Sequence, residues 1–172
     1  GYANLSLERV AKRAGVGKAA LYRRWPSKAA MTSDALSGVG VAIADVPDTG
    51  SLLGDVRAAL LGVRRALRHP LVRRILLDLH AEVGRSPDLE AAIRPFQAAR
   101  RKRAQALTNR AVARGELARD VDHEIASDLL GAAIYWRIAV VGETADLPYV
   151  ERLAIMLCAA LTASGAGPHT TP

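Results

Sequence analysis

The sequence predicts an all-α protein in two parts, a small head and a larger helical body, and three observations point that way. Half of the 172 residues are apolar but only 4% are aromatic, and a chain rich in Ala, Leu and Arg favours packed helices over sheet. Apolar residues recur at helical spacing from end to end, with no stretch of strand-like alternation. Charge is uneven: the first 28 residues hold seven Lys/Arg against one acid, Glu8, whereas the remaining 144 hold 17 against 16. Almost all of the net +7 therefore sits in a sixth of the chain, which is the footprint of a polyanion site.

The charged stretch is Ser6 to Lys28. Leu7, Val10, Ala11 and Ala14 fall at i, i+3, i+4 and i+7, one apolar stripe on a short helix, with Glu8, Arg9, Lys12 and Arg13 on its other face. Ser6 is placed to cap that helix, and Glu8 adds a negative charge to its first turn. Gly15-Val16-Gly17 ends it, since glycine accepts the positive φ of a sharp reversal. A second short helix runs from Lys18 to about Arg24 and stops before Pro26. Two short helices on a tight glycine turn, with Val16 expected buried between them, describe a helix-turn-helix.

The second helix has the profile of a groove reader. With Leu21 inward, Trp25 lies on the same side, Ala19 and Arg23 lie opposite, Ala20 and Tyr22 flank them, and Lys18 leads. Small outward residues allow close approach to a groove floor, while cations and a phenol reach phosphates. Pro26-Ser27-Lys28 restarts the chain as a third helix, capped by Ser27, with Lys28 beside free N–H groups that suit a phosphate. Lys18, Ala19, Ala20 and Arg23 are thus expected at base edges, and Ser6, Tyr22, Arg24 and Lys28 at phosphates. A helical hairpin with a solvated basic face is the plainer alternative.

The third helix is expected from Ser27 to about Val46, interrupted by Gly38 and Gly40. After the loop at Pro47–Gly50, Ser51 caps a helix from Leu52 to Leu67, and His69-Pro70 breaks the chain. A helix from Leu71 to about Val83 ends at Gly84 and Pro87, and a long basic helix covers Asp88 to about Arg114. Its run Arg100–Arg103 reads as a solvated face, with a second nucleic-acid patch as the alternative. Asp122 caps a helix to Val141 that carries Ile125, Leu129, Ala132, Ala133, Trp136 and Val140 on one side, widened by Leu130, Ile134, Ile138 and Val141. A helix so apolar must be covered on two sides. The last helix, Pro148 to Ser164, bears the stripe Val150, Leu153, Ala154, Leu157 and Leu161. Residues 1–46 then form the head with its linking helix, 47–164 the body, and 165–172 a tail with nothing to bury.

Catalytic and metal chemistry find no footing. The lone Cys158 excludes an internal disulfide and a cysteine-based zinc site. None of His69, His80, His123 and His169 pairs with another at i, i+4, and no glycine-rich loop follows a strand. No catalytic residue, metal or cofactor is expected. With no leader and no apolar run long enough to span a bilayer, the expected compartment is the cytoplasm, away from membranes. In so aromatic-poor a chain, His80, Phe96 and Trp136 stand out. They are expected to line an apolar small-molecule pocket beside the third helix, with Tyr135 or Arg137 adding a hydrogen bond. Filling core is the alternative for Phe96 and Trp136.

Gly1-Tyr2, Ser6-Leu7, Val10-Ala11, Ala14-Gly15-Val16, Leu21-Tyr22-Arg23 and Trp25-Pro26-Ser27-Lys28 together resemble the DNA-binding signature of the TetR/AcrR family of transcriptional regulators. Gly17 stands at a DNA-facing position where that family usually has Ser, which removes a phosphate hydrogen bond, and Ala19 where Gly or Pro is frequent. The family's first helix would precede Gly1, and two short helices alone make too small a core, so the native chain is expected to extend N-terminally. Arg114-Gly115-Glu116-Leu117 and the helix with Asp128-Leu129-Leu130-Gly131 and Trp136-Arg137 resemble, more weakly, the regulatory domain of one TetR subgroup. The resemblance implies a homodimer through a four-helix bundle of the last two helices, a near-palindromic operator, and a small-molecule effector that releases a repressor from it. Independently, the residues show only a helix too apolar for a monomer's surface. A constitutive DNA-organising protein without effector, and a helical enzyme or carrier with a vestigial DNA head, are the rivals.

Overall fold

The computed structural model describes residues 1–42 and 47–163, with the side chains of 37–42 left aside. Residues 43–46 of the expected third helix, Ser164 and the tail 165–172 therefore lie outside the described residues. Within these limits the chain is helical, with no strand among the described residues. The head comprises α1 (Leu7–Ala14), α2 (Lys18–Arg24) and the start of α3 (Lys28–Ala42). The body comprises α4 (Leu52–Arg68), α5 (Pro70–Val83), α6 (Pro87–Ala113), α7 (His123–Tyr135), a π-helical continuation at Trp136–Val141, and α8 (Leu147–Ala163).

Capping chemistry fixes most boundaries. Ser6 accepts from the Arg9 N–H at 3.4 Å, and Gly15, at φ +68°, ends α1 in the left-handed region. Ser51 accepts from the Gly54 N–H and Asp122 from those of Glu124 and Ile125. Ser86, a cap that the expected start at Asp88 overlooks, accepts from the Leu89 N–H, and Pro87 takes the first turn of α6. Pro70 opens α5 in the same way, where its missing N–H leaves no helical bond unmade.

α4 is the body's central post. Its Val56, Leu60 and Leu67 meet Leu107 and Ala111 of α6, Leu130 and Ile134 of α7, and Val150, Ala154, Leu157 and Leu161 of α8. Each Leu or Ile fully buried here stabilises the fold by about 1.5–3 kcal/mol. A second cluster joins head to body: Tyr2 and Leu36 pack on Leu79 of α5 and on Leu89 and Ile93 of α6, with Phe96 alongside. The head's own core is small, made of Leu7, Ala11 and Leu21 with Val10, Trp25 and Met31 at its margin.

Three expectations change. Val16 is 44% exposed, not buried, because α1 and α2 meet through Leu7, Ala11 and Leu21 and the turn lies beyond that contact. On α7 the buried positions are Ala126, Leu130, Ile134 and then Ile138, a spacing of four. In an α-helix that spacing drifts by about 40° per step, and the wider π turn at Trp136–Val141 brings Ile138 back to the core. Of the expected stripe, Ile125, Ala132, Trp136 and Val140 face outward and Leu129 and Ala133 are half-buried, because the core takes the neighbouring stripe of Ala126, Leu130 and Ile134. On α8 the stripe through Leu157, expected in the seam of the four-helix dimer interface, packs on the chain's own core and leaves Ile155 and Met156 outside.

A buried charge cluster locks the top of the body. Asp55, fully buried, accepts from the backbone and hydroxyl of Thr49, both at 2.8 Å, and from Arg114 at 3.1 Å. Glu116 accepts from the Leu52 N–H and from Arg114 at 2.7 Å. Burial pushes the Asp55 carboxyl up, but the Thr49 and Arg114 hydrogen bonds outweigh it and hold its pKa below the usual value. The Arg114-Gly115-Glu116 turn thus ties the end of α6 to the start of α4.

Candidate nucleic-acid interface

The approach of α2 to α1 across the glycine turn sets one carboxylate among three donors. Glu8 accepts from the Ser6 hydroxyl at 2.8 Å, the Tyr22 hydroxyl at 2.7 Å and the Lys18 ammonium at 2.9 Å. The Tyr22 bond first, then those of Lys18 and Ser6, lower the Glu8 pKa to about 2. The same contacts raise those of Tyr22 and Lys18. Glu8 therefore stays ionised across the physiological range. Sequence periodicity could not reveal this cluster, since Tyr22 lies 14 residues away across the turn. The one available signal was that Glu8 is the sole acid among seven cations.

The rest of α2 is open. Lys18, Ala19, Ala20, Tyr22, Arg23 and Arg24 are all exposed, while Leu21 is buried beneath them. Arg23 makes no ion pair among the described residues; Arg24 lies 4.7 Å from the Trp25 ring and 3.7 Å from Asp34. The Trp25 indole also donates to Asp34 at 2.9 Å, which joins the end of α2 to α3. Gly17 occupies the N-cap of α2 without a side-chain bond, and the space around it is empty. Ser27 caps α3 through the Ala30 N–H. Lys28 is half-buried, its ammonium 4.5 Å above the Tyr2 ring and 3.5 Å from the Tyr2 carbonyl, so it does not stand free beside the α3 N-terminus.

In the body, the five residues expected to share one pocket are dispersed. His80 and Tyr135 do meet, Nδ1 to hydroxyl at 2.5 Å with their rings edge to face. Desolvation lowers the His80 pKa and raises that of Tyr135. Phe96 fills the head–body seam, and Trp136 is 62% exposed because it lies two residues from buried Ile134, on the opposite side of the helix. Arg137 donates to the Thr144 carbonyl and lies 4.3 Å from the Tyr149 ring, which pins the turn before α8. Arg100, from the basic run, bonds Asp128 and the Ser127 carbonyl across α6 and α7. Cavities lie elsewhere. One of about 80 Å³ among α4, α6 and α7 is lined by Ser127, whose buried hydroxyl lacks a hydrogen-bond partner. Another of about 300 Å³ lies between the α4–α5 joint and the loop after the π segment.

Comparison with known proteins agrees with this layout. Residues 1–35 match the family described as bacterial regulatory proteins, tetR family, and residues 46–157 match the tetracyclin repressor-like C-terminal domain. The chain is 32% identical over 163 residues to the DNA-binding transcriptional repressor TetR of Mycobacteroides abscessus, covering 89% of this chain and 80% of that protein. It is 29% identical over 157 residues to YdeS, an uncharacterised HTH-type transcriptional regulator of Bacillus subtilis, covering 90% and 78%. The crystal structure of the TetR family transcription regulator SCO0332 superposes with a TM-score of 0.75 at 33% identity, covering 98% of this chain and 90% of that one. With a helix-turn-helix head, a helical body and both domain matches in register, the chain belongs to the TetR family of DNA-binding transcriptional regulators.

Proposed function

We propose that this protein is a homodimeric repressor, released from a near-palindromic operator when a small-molecule effector binds its body. The observation that carries the DNA side is the open face of α2. There Ala19 and Ala20 leave room for a groove floor while Lys18, Arg23 and Arg24 surround them, all exposed. Lys18, Ala19, Ala20 and Arg23 take base edges. Ser6, Tyr22, Arg24 and the backbone at Gly17 take phosphates, and Lys28 joins them by leaving the Tyr2 ring. Residues 1–46 act as the DNA head, and 47–164 as the body that binds effector and partner. The head–body seam of Tyr2, Leu36, Leu79 and Ile93 supports coupling, because a shift of α5 or α6 moves the surface on which the head rests.

Selection of binding sites from random duplex DNA tests this directly. A two-fold symmetric consensus, bound with a strong salt dependence, is the expected result. A melting screen of metabolites then tests release: a compound that stabilises the protein should weaken its operator complex. An asymmetric or absent consensus would sink the operator reading, and stabilisation without release would sink the effector one.

A further inference from the structure

We propose that the cleft between the α4–α5 joint and the exit of the π-helical segment binds a small molecule that carries one carboxylate on an apolar body. The proposal deepens the effector reading above by naming a site and a ligand class. Size favours this cleft. Its volume of about 300 Å³ lies at the lower end of small-ligand sites, whereas the cavity beside Ser127, at about 80 Å³, has room for a few waters.

The lining sets the chemistry. Leu67, Ile138 and Ala145 are buried and give the cleft an apolar floor. Arg64, Arg68 and Arg73 stand around it from the two helices that meet at His69. Arg64 donates through Nε to the Ala145 carbonyl, which fixes its guanidinium against the loop while its terminal nitrogens stay available. Arg68 and Arg73 are exposed and make no ion pair among the described residues. Two acids share the wall, but each has a partner: Glu143 lies 3.9 Å from Arg137, and Asp146 accepts from the Tyr149 N–H at 2.8 Å. Three cations against two acids suit a monoanion better than a phosphate dianion. A guanidinium fork matches a planar carboxylate in two parallel hydrogen bonds.

The position suits regulation. Arg73 lies in the first turn of α5, and Leu79, further along the same helix, packs against Tyr2 and Leu36 of the head. The opposite wall is the π segment and its closing Gly142, at φ +82°; π turns recur where helices serve a site. A carboxylate that draws Arg68 and Arg73 inward bears on α5 directly, and through it on the seating of the head.

The test uses the full chain. Thermal melting and calorimetric titration would be run with unbranched carboxylates from butanoate to dodecanoate and with benzoate, each beside its primary amide. The ligand-free Arg68→Ala/Arg73→Ala variant should melt close to the unmodified protein, because both side chains are exposed. At least one carboxylate should bind, its amide at least about tenfold more weakly, and the double variant should lose about tenfold or more in affinity. The site is overturned if no carboxylate in the series binds, if amides bind equally, or if the double variant binds unchanged. Operator affinity, measured separately, keeps the two ideas apart. Carboxylate binding with no change at the operator leaves the site standing and removes its link to release, whereas failure to bind DNA without any ligand refutes the operator reading alone.

Discussion

Glu8 takes hydrogen bonds from Ser6, Lys18 and Tyr22, groups proposed to meet DNA, and in the proposed complex it would compete with DNA for them. Glu8→Gln keeps the shape and an acceptor but removes the charge. Its expected effect is tighter binding to any duplex by several-fold, with a steeper salt slope, because the charge of the face rises by one. Weaker binding at an unaltered slope would mean that Glu8 orders the donors rather than competing for them. Arg23 acts differently. Arg23→Ala should relax preference at one operator position by about tenfold, the discrimination of one good bidentate base contact. Binding selections on the variant would check this, and a uniform loss across all sequences would place Arg23 on a phosphate instead. The sequence made the cations and the small residues of α2 readable through helical phase alone. It hid Glu8's partners and the Lys28–Tyr2 contact, because both join segments that meet only once the turn is folded.

Among the helices, two contacts decide how the body responds to mutation and to pH. Asp55 is fully buried among Thr49, Arg110 and Arg114. Asp55→Ala should cost about 3 kcal/mol in denaturant unfolding, since it empties a fully buried position and takes the acceptor from the Thr49 N–H and hydroxyl. A loss under half of that would mean water already reaches the cluster. His80 packs on Tyr135 with its pKa lowered by desolvation. A histidine whose folded pKa lies below its unfolded value supports the fold while neutral, and that support falls as pH drops below the ordinary imidazole range. The unmodified protein should therefore lose more melting temperature between pH 7.5 and pH 5.5 than His80→Gln does. Equal losses would count against a desolvated His80. The boundaries of these helices were largely readable, because Ser6, Ser51 and Asp122 are capping residues placed before apolar periods. The π turn was not, since no single residue encodes it; it arises where a spacing of four must stay on one core.

For the whole molecule, the question is which faces of α7 and α8 remain for a partner. The stripe read from sequence, with Leu157 at its centre, is the chain's own core against α4. Leu157→Ala should thus destabilise each protomer by about 2–5 kcal/mol, the range for emptying a leucine site. The surface left over is apolar as well: Ile125, Trp136 and Val140 lie outward from α7 and its continuation, and Ile155 and Met156 from α8. Trp136, at 62% exposed, and Met156, at 69%, are unusual for large apolar side chains on a solvated surface. The proposed dimer would cover this outer face. In a two-fold interface each charge introduced there meets its own copy. Ile155→Glu/Met156→Glu should therefore yield a folded monomer, with unchanged helical content and a sedimentation coefficient that falls accordingly. Operator affinity should fall with it, because a single head reads only one half-site and loses the spacing that two joined heads impose on a palindrome. A variant that still sediments as a dimer would move the partner surface to another part of the body, and a variant that unfolds would show that these side chains belong to the protomer's own packing.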